Sequence, residues 1–268
     1  MSSKVRIAVA GAAGRMGTRL LWLARQQADA FTIVSALERA GHPMLGRDAG
    51  EVAGIGPIGL ALTAELCGDR PDVFIDFTVP QSTRQWLGVC RDRGIAMLIG
   101  TTGLGQEDQA SIDQAARYIP ILQSPNMSLG VAVLLRVAGE VAKLLGEDYD
   151  IEIVEAHHRF KKDAPSGTAM SLAEAILRAT GKSAEAMVFA RHGQDCLRQP
   201  GQIGMHALRM GDEVGRHTAY FAALGERLEL THVATNRDTF VHGALRAARW
   251  LAGQKPGRYR IADVLGLS

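Results

Sequence analysis

The first 125 residues alternate short, nearly continuous apolar runs with stretches of helical periodicity. Val5 opens the run VRIAVA, and Phe31–Leu37 forms a second run of the same kind. Strands that are buried on both faces have such runs, and strands that alternate with helices belong to parallel sheets. We therefore predict the α/β class, with a Rossmann-like doubly wound parallel sheet.

The pattern changes in the second half of the chain. A long amphipathic stretch is followed there by segments in which apolar and polar residues alternate, as in strands with one solvated face. A last amphipathic stretch begins at Asp238. We predict a dinucleotide-binding domain made of residues 1–126 plus 237–268. Residues 127–236 are predicted to form a second, α+β domain for substrate binding and oligomerisation.

Composition excludes several classes of protein. Of the 268 residues, 47% are hydrophobic and 22% are charged, which is typical of globular domains. No apolar run reaches the roughly 18–20 residues that span a bilayer, and the run before Gly11 is too short for a signal peptide. We therefore expect a cytoplasmic protein. The net charge of +2 gives no reason to expect nucleic acid or a membrane as a partner.

The cysteines give no support to a disulfide framework or a metal site. Cys67, Cys90 and Cys196 lie far apart, and no C-x-x-C pair occurs. Structural zinc sites need closely spaced ligands of that kind, so we predict no metal.

A glycine-rich turn separates the first predicted strand from the first predicted helix. It has the form G-x-x-G-x-x-G, with glycines at Gly11, Gly14 and Gly17. Glycines allow a sharp turn and close approach to a pyrophosphate, which the free N–H groups of a helix N-terminus also attract. The usual spacing is G-x-G-x-x-G, so a generic tight turn is the alternative interpretation.

An acidic residue follows the second predicted strand. Glu38 lies about 20 residues after the glycine turn, where an acid commonly binds the ribose of the cofactor. Arg39 comes next and suits the 2′-phosphate of NADP. The pair predicts a site for NADH or NADPH, against the alternative of two solvated residues at a strand end.

Two polar loops follow later strands of the same half. They are Gly100-Thr101-Thr102-Gly103 and Ser124-Pro125-Asn126-Met127. Ligands of doubly wound sheets bind beyond the carboxyl ends of the strands, so both loops are predicted to face the cofactor. Ordinary turn chemistry is the alternative.

The stretch richest in chemically active side chains is E-A-H-H-R-F-K-K-D-A-P-S-G-T, residues 155–168, between a strand and a helix. His157 and His158 are able to exchange protons near neutral pH. Lys161 is able to bind an anion and to donate a proton. The helix start at Thr168 offers an end suited to a carboxylate. Structural histidines are the alternative, but the whole cluster favours catalysis.

This stretch resembles the signature of the dihydrodipicolinate reductase family. Matching segments occur in the family's order over almost the whole chain: GAAGRMG, Glu38–Arg39, DVFIDFT, IGTTG, SPNMSLGV, Arg191, R-x-G at Arg209, G-x-H at Gly215 and GERLELTH. Two positions depart from it. Ala132 stands where many relatives carry Asn, and Met127 where some carry Phe.

The resemblance implies NADH- or NADPH-dependent reduction of a cyclic dicarboxylate derived from hydroxy-tetrahydrodipicolinate, in the diaminopimelate route to lysine. It also implies a homotetramer assembled through sheets of the second domain. It implies that His157 is a proton donor or acceptor, Lys161 is a proton donor, and His158, Gly167 and Thr168 contact the substrate. The residues implied to hold the cofactor are Gly11, Ala12, Ala13, Gly14, Arg15, Met16, Glu38, Arg39, Gly100, Thr101, Thr102, Ser124, Pro125, Asn126 and Met127.

Two other functions stay open on the residues alone. Another NAD(P)-dependent reductase of a small amino-acid-like substrate would share the glycine turn without needing H-H-x-x-K and P-S-G-T. A cofactor-sensing regulatory module would need Glu38 and the glycines, but not His157 with Lys161.

Overall fold

The computed structural model of the protein describes residues 4–267. The chain divides into two compact units. Among the described residues, the first unit comprises residues 4–128 and Asp238–Gly266, and the second comprises Leu129–Arg237 with Leu267. Each unit has its own β-sheet.

The elements are given in chain order. The helices are α1 (Arg15–Gln26), α2 (Ala49–Val52), α3 (Pro80–Arg93), α4 (Gln106–Ala115), α5 (Leu129–Leu145), α6 (Gly167–Thr180) and α7 (Asp238–Leu251). The strands are β1 (Val5–Ala10), β2 (Phe31–Leu37), β3 (Leu62–Thr63), β4 (Val73–Asp76), β5 (Ala96–Ile99), β6 (Pro120–Gln123), β7 (Asp150–His157), β8 (Met187–Phe189), β9 (Ile203–Arg209), β10 (Gly215–Ala223), β11 (Glu226–Ala234) and β12 (Gly257–Tyr259).

The first unit is built on a parallel sheet with strand order β12-β6-β5-β4-β1-β2-β3. The chain builds outward from β1 to β3 and then returns to the other side of β1 with β4. In open α/β sheets, a ligand crevice forms at such a reversal of strand order. The predicted doubly wound parallel sheet is confirmed.

Strand register aligns the carboxyl ends of the central strands. Ala10 pairs with both Leu37 and Asp76, and Asp76 pairs in turn with Ile99. The residues that follow these strands therefore start from one edge of the sheet. This edge carries the glycine turn, Glu38 and the loop at Gly100.

Local sequence sets the helix boundaries in the first unit. Pro80 occupies the first turn of α3, where a missing N–H costs nothing, and Gly94 ends the helix with a φ of +63°. Trp86 of α3 packs on Phe74 of the sheet with ring centroids 4.9 Å apart. Burial of these rings holds the helix on the sheet.

The second unit has a mixed sheet with strand order β11-β10-β7-β9-β8. Helices α5 and α6 pack together against one of its faces, where Ile153, Phe221 and Leu172 are fully buried. Gly139 permits close packing of the two helices, since a Cβ there would lie 3.1 Å from the carbonyl oxygen of Ala175. The predicted second α+β domain agrees with this arrangement.

Four elements lie outside the sequence-based prediction, namely α2, β3, β8 and β12, and each is four residues or fewer in length. Elements this short carry too little periodicity to stand out from turns. Among residues 4–267, none of the helices combines the length and hydropathy that a bilayer crossing requires.

Candidate active site

The glycine turn of the first unit is shaped by positions that exclude side chains. Gly11 has a φ of +66°, and a Cβ there would lie 2.9 Å from Cγ2 of Thr78. A Cβ on Gly17 would lie 2.0 Å from the carbonyl oxygen of Gly11. The amide of Gly14 donates to that same oxygen over 2.9 Å. The turn therefore requires glycine at its first and last positions.

Helix α1 begins directly after this turn and presents an open N-terminus. Its N-cap is Gly14, which has no side chain to accept from the first amides, and no acidic residue lies in its first turn. The amide N–H groups of a helix start and the positive end of its dipole attract phosphate. The glycine cradle and this helix end together fit the pyrophosphate of a dinucleotide.

Glu38 connects the end of β2 to the glycine turn. Its Oε1 accepts from the amide of Ala13 over 3.0 Å, and its Oε2 accepts from the amide of Arg39 over 3.3 Å. The side chain of Arg39 is exposed. The Glu38 carboxylate is thus held beside the turn. The exposed guanidinium of Arg39 is accessible to a phosphate group of a ligand.

A buried aspartate organises the ends of β4 and β5. Asp76 accepts from the hydroxyls of Thr78 and Thr83 over 2.6 and 2.5 Å. The amide of Thr78 donates over 3.0 Å to Oγ1 of Thr101. Burial raises the pKa of Asp76 above its usual value, and the hydroxyl donors oppose that rise. The network positions Thr101, and sequence reasoning did not assign Asp76 a role.

The loop after β5 has no room for a side chain at position 100. A Cβ on Gly100 would lie 2.2 Å from Cε1 of Phe77, and the Gly100 amide donates to the carbonyl of Asp76 over 2.8 Å. Thr101 is buried, whereas Thr102 is exposed. Thr102 is therefore the member of this loop whose side chain is accessible to a ligand.

The loop after β6 is fixed by its own polar atoms. The Ser124 hydroxyl donates to the Asn126 carbonyl over 2.6 Å, and Asn126 Oδ1 accepts from the Ser128 amide over 2.9 Å. Pro125 is exposed, whereas the side chain of Met127 is buried. The side chains of Met127 and of Ala12 in the glycine turn are both buried. A ligand could therefore contact only the backbone of these two residues.

The second unit holds a cluster of ionisable side chains around the buried carboxylate of Glu155. Arg209 donates to both carboxylate oxygens, over 2.8 Å to Oε1 and 3.0 Å to Oε2. The amide of Ser166 donates to Oε1 over 3.1 Å. His157 Nδ1 is hydrogen-bonded to Oε2. One carboxylate therefore joins the ends of β7 and β9 to the start of α6.

Opposing effects set the charges in this cluster. Burial raises the pKa of Glu155, but Arg209 and His157 outweigh it and hold this pKa below its usual value. Burial lowers the pKa of His157, with help from Lys161 and Arg209 and against the pull of Glu155. Because a negative charge favours imidazolium, an anionic ligand bound beside His157 would raise that pKa.

A second histidine, His217, is in contact with His157. The rings of His157 and His217 meet edge to face, with centroids 5.1 Å apart. His217 Nε2 lies 3.0 Å from the hydroxyl oxygen of Ser166, which also accepts from the amide of Ala169 over 3.2 Å. Burial is the main cause that lowers the pKa of His217, to about 4, so this ring is neutral near pH 7.

Helix α6 begins at Gly167 with Ser166 as its N-cap, one residue earlier than the start at Thr168 that the sequence suggested. Gly167 is exposed and Thr168 is half-buried. Lys161 Nζ donates to both carboxylate oxygens of Asp163, over 2.8 and 2.9 Å. A substrate anion bound by Lys161 must therefore compete with an exposed carboxylate.

His158 lies beside the ring of Phe160, whereas His157 is hydrogen-bonded to Glu155. Its half-buried ring lies beside the exposed ring of Phe160, with centroids 6.4 Å apart, and its Nδ1 is buried without a hydrogen-bond partner within the described part of the chain. The predicted residues of the second unit thus lie on one continuous segment around the start of α6.

Sequence reasoning left several members of this cluster without a role. Glu155 opened the recognised motif, and Arg209 and His217 were noted only as parts of short matching triplets. Glu155 and Arg209 are 54 positions apart, and Ser166 and His217 are 51 positions apart. The motifs therefore indicated the residues, but only the fold pairs them.

Comparison with known proteins places these features in a family. The family model "Dihydrodipicolinate reductase, N-terminus" matches residues 5–127, and "Dihydrodipicolinate reductase, C-terminus" matches residues 130–265. A 4-hydroxy-tetrahydrodipicolinate reductase from Myxococcus xanthus is 47% identical, with 98% of each chain covered. One from Alkalilimnicola ehrlichii is 49% identical over 98% of this chain and 99% of its own.

Solved structures show the same fold. The dipicolinate-bound dihydrodipicolinate reductase from Paenisporosarcina sp. TG-14 superposes with a TM-score of 0.74 at 21% identity, covering 96% of this chain and 98% of its own. With both halves of the chain matched by the family's own models, this chain belongs to the dihydrodipicolinate reductase family.

Proposed function

We propose that this chain reduces 4-hydroxy-tetrahydrodipicolinate to tetrahydrodipicolinate with NADH or NADPH, in the diaminopimelate route to lysine. Relatives that carry the name of this reductase are 47% and 49% identical over 98% of the chain. The observation that carries the proposal is that His157, Glu155 and the start of α6 form one hydrogen-bonded cluster in this chain. The net reaction consumes one hydride and one proton, and it releases one water.

The first unit is proposed to hold the nicotinamide cofactor, which supplies the hydride when bound. The proposed cofactor residues are Gly11 to Met16, Glu38, Arg39, Gly100 to Thr102 and Ser124 to Met127. The glycine cradle and the N-terminus of α1 favour the pyrophosphate. Glu38 suits ribose hydroxyls, and Arg39 suits a 2′-phosphate, so the pair fits either cofactor.

The second unit is proposed to bind the two carboxylates of the substrate. Lys161 offers a positive charge, and Gly167 and Thr168 lie in the first turn of α6, where amides and the helix dipole favour an anion. His158 is proposed to contact the substrate as well. The dipicolinate bound by the Paenisporosarcina relative is a small dicarboxylate, which agrees with this class of ligand.

We propose that His157 and Lys161 handle the proton. Hydride addition to a conjugated imine leaves an electron-rich product that a nearby acid must protonate. Glu155 holds Nδ1 of His157, which leaves Nε2 as the nitrogen for exchange with substrate or solvent. Because substrate carboxylates raise the pKa of a nearby imidazole, the bound substrate itself favours the acid form of His157.

Steady-state turnover tests this function. The purified protein is mixed with freshly generated 4-hydroxy-tetrahydrodipicolinate and either NADH or NADPH, and the loss of nicotinamide absorbance is recorded. We expect turnover with at least one cofactor, and competitive inhibition by dipicolinate against the substrate. Absence of turnover with both cofactors, in a protein that binds them, would contradict the proposal.

We also propose that the protein is a homotetramer assembled through the sheet of the second unit. Leu208 and Val233 lie on strand positions that face away from α5 and α6, and they are 47% and 48% exposed. Exposed apolar side chains on a sheet face are typical of contact surfaces. Light scattering should give about four times the chain mass of 28.7 kDa, and a monomer mass would contradict the proposal.

A further inference from the structure

We propose that Glu155 is a positioning residue that fixes the orientation and the tautomer of the His157 ring. The inference rests on the proposed function, because it assumes that His157 handles the proton. Glu155 itself is only 1% exposed, so it acts through His157 rather than on a substrate.

The argument begins with the hydrogen bonds around this carboxylate. Two guanidinium N–H groups of Arg209 and the amide of Ser166 are donors that have no acceptor form. They bind both oxygens and keep the carboxylate ionised, in line with its lowered pKa. His157 Nδ1 therefore faces an oxygen that only accepts.

The tautomer follows from that contact. A neutral imidazole has one N–H group and one lone pair, and the partner of one nitrogen decides which is which. With Nδ1 donating to Glu155, the neutral ring carries its lone pair on Nε2. A proton that His157 takes up or gives away must then be the one on Nε2.

Gly215 lies beside Nε2, the nitrogen that this assignment leaves for proton exchange. A Cβ on Gly215 would lie 3.2 Å from Nε2 of His157 and 3.5 Å from its Cδ2. The backbone of Gly215 is not in the left-handed region, so its conformation does not require glycine. A side chain at this position would instead collide with the ring of His157 and crowd its Nε2.

The same carboxylate also connects the proton site to the anion site. Its Oε1 accepts from the Ser166 amide at the N-cap of α6, and its Oε2 is bonded to His157. Arg209 ties both oxygens to the end of β9. Glu155 thus sets the position of the His157 ring relative to the helix end proposed to bind a substrate carboxylate.

Several charges face His157, and they act in different directions. Burial, Lys161 and Arg209 disfavour an imidazolium at 157, whereas Glu155 favours it. The ring of His217 is also in contact with His157, but it is neutral near pH 7. Asp163 is bonded to Lys161 and reduces the effect of that cation. Of the groups that contact the ring, Glu155 is the one whose charge stabilises its acid form.

The test is Glu155→Gln, observed by NMR of the ring nitrogens of His157 in the full-length protein. In the variant, the amide oxygen takes the place of Oε1 and accepts from Arg209 Nη2 and the Ser166 amide. The amide NH2 group takes the place of Oε2 and faces Nδ1 of His157 and Nη1 of Arg209. We expect the neutral ring to invert its tautomer, with the lone pair on Nδ1 and the proton on Nε2. His157→Gln, which lacks these signals, provides their assignment.

Turnover gives a second readout. We expect Glu155→Gln to lower kcat by about 10²–10⁴-fold, because an imidazole in the wrong tautomer loses its contribution as general acid or base. KM should change less than kcat, because the substrate does not contact Glu155. The limb of the pH profile that belongs to His157 should move to lower pH, since the charge that favours imidazolium is gone.

Glu152→Gln is the matched control. Glu152 lies on the same strand and is also bonded to an arginine, Arg191, over 2.6 Å and to a histidine, His206, over 2.7 Å. Its side chain points to the opposite face of the sheet, since the two positions differ by an odd number. We expect the nitrogen signals of His157 to stay as in the wild type.

The outcomes separate this inference from the proposed function. A Glu155→Gln protein whose His157 keeps its proton on Nδ1 would overturn the inference, whatever its turnover. Tautomer inversion in Glu155→Gln, combined with no reductase activity in the wild-type protein, would overturn the proposed function alone. If Glu155→Gln fails to fold, Glu155→Asp keeps a charged acceptor and should retain the wild-type tautomer, and inversion there would also overturn the inference.

Discussion

The two candidate sites of this protein are built in opposite ways. The nucleotide site of the first unit relies on backbone groups and on the absence of side chains, as at Gly11 and Gly17. The acid–base site of the second unit relies on side chains that hold one another, with Glu155 bonded to Arg209 and His157.

This difference follows from what each site has to bind. A pyrophosphate is recognised by N–H groups that any residue supplies, provided that the chain bends closely enough. Proton transfer needs a particular side chain with a particular charge and orientation. The first site should therefore be sensitive to added atoms, and the second to lost charges and hydrogen bonds.

The largest effect is expected in the acid–base site of the second unit. His157→Gln should lower kcat by about 10²–10⁴-fold, because a general acid or base contributes in that range. NADH affinity should stay near wild type, because the glycine turn belongs to the first unit. Single-turnover stopped flow measures the chemical step, and the exposed His192→Gln serves as a control. A chemical step near the wild-type rate would exclude His157 from the proton path.

The nucleotide site of the first unit is tested by adding one methyl group to a glycine. Gly17→Ala should reduce the free energy of unfolding by about 1–3 kcal/mol and weaken NADH binding, because the new Cβ overlaps the Gly11 carbonyl. Gly88→Ala is the matched control, since Gly88 also lies within a helix but has no atom within 4 Å of its Cβ position.

The control should move in the opposite direction. Alanine is favoured over glycine by about 0.8–1.0 kcal/mol inside a helix, so Gly88→Ala should raise the free energy of unfolding. Urea titrations and NADH calorimetry measure both variants. Equal stability changes for the two would show that the glycine turn imposes no steric limit at position 17.

A third experiment uses pH to examine the buried histidine of the second unit. The pKa of His217 falls from 6.5 to about 4 on folding. Between these values the unfolded chain binds a proton that the folded chain does not, so stability rises with pH in this window. The contribution is about 3 kcal/mol at most, at about 1.4 kcal/mol per unit of pKa.

His217→Gln should therefore flatten the dependence of the unfolding free energy on pH between about 4 and 6.5. Urea titrations across this range measure the slope, with the exposed His192→Gln as a control. A slope in His217→Gln equal to that of the wild type would mean that His217 does not take up a proton on unfolding in this range.

The last experiment concerns a side chain at the edge of the nucleotide site, where the effect is confined to one of the two cofactors. Arg39→Ala should weaken NADPH more than NADH, by about 1–3 kcal/mol, because a charge-assisted contact with the 2′-phosphate is lost. Calorimetry with each cofactor measures the difference, and the exposed Arg25→Ala is a control for lost positive charge. Equal losses for both cofactors would show that Arg39 does not meet this phosphate.

The sequence alone determined the features that depend on neighbouring residues. Phe31–Leu37 was predicted as a strand with the bounds that the structure gives. The alternation of strands and helices predicted the doubly wound sheet. These features follow from local periodicity, backbone restriction and turn chemistry, which a short window of sequence contains.

Short elements with distant partners were decided by the tertiary structure. Strand β12 has three residues and pairs with β6, joining Gly257 to Pro120 across about half of the chain's length. A three-residue segment has too little pattern to indicate a strand by itself. The sheet edge that β6 offers is what makes this segment extended.

The roles inside the candidate sites also required the fold. Asp76 and Glu155 look alike in sequence, as acids at or near the end of a strand. The structure surrounds Asp76 with threonine hydroxyls and Glu155 with a guanidinium and an imidazole, so their pKa values shift in opposite directions. Burial and the charges of distant residues set these shifts, and both arise only when the sheets bring separate strands together.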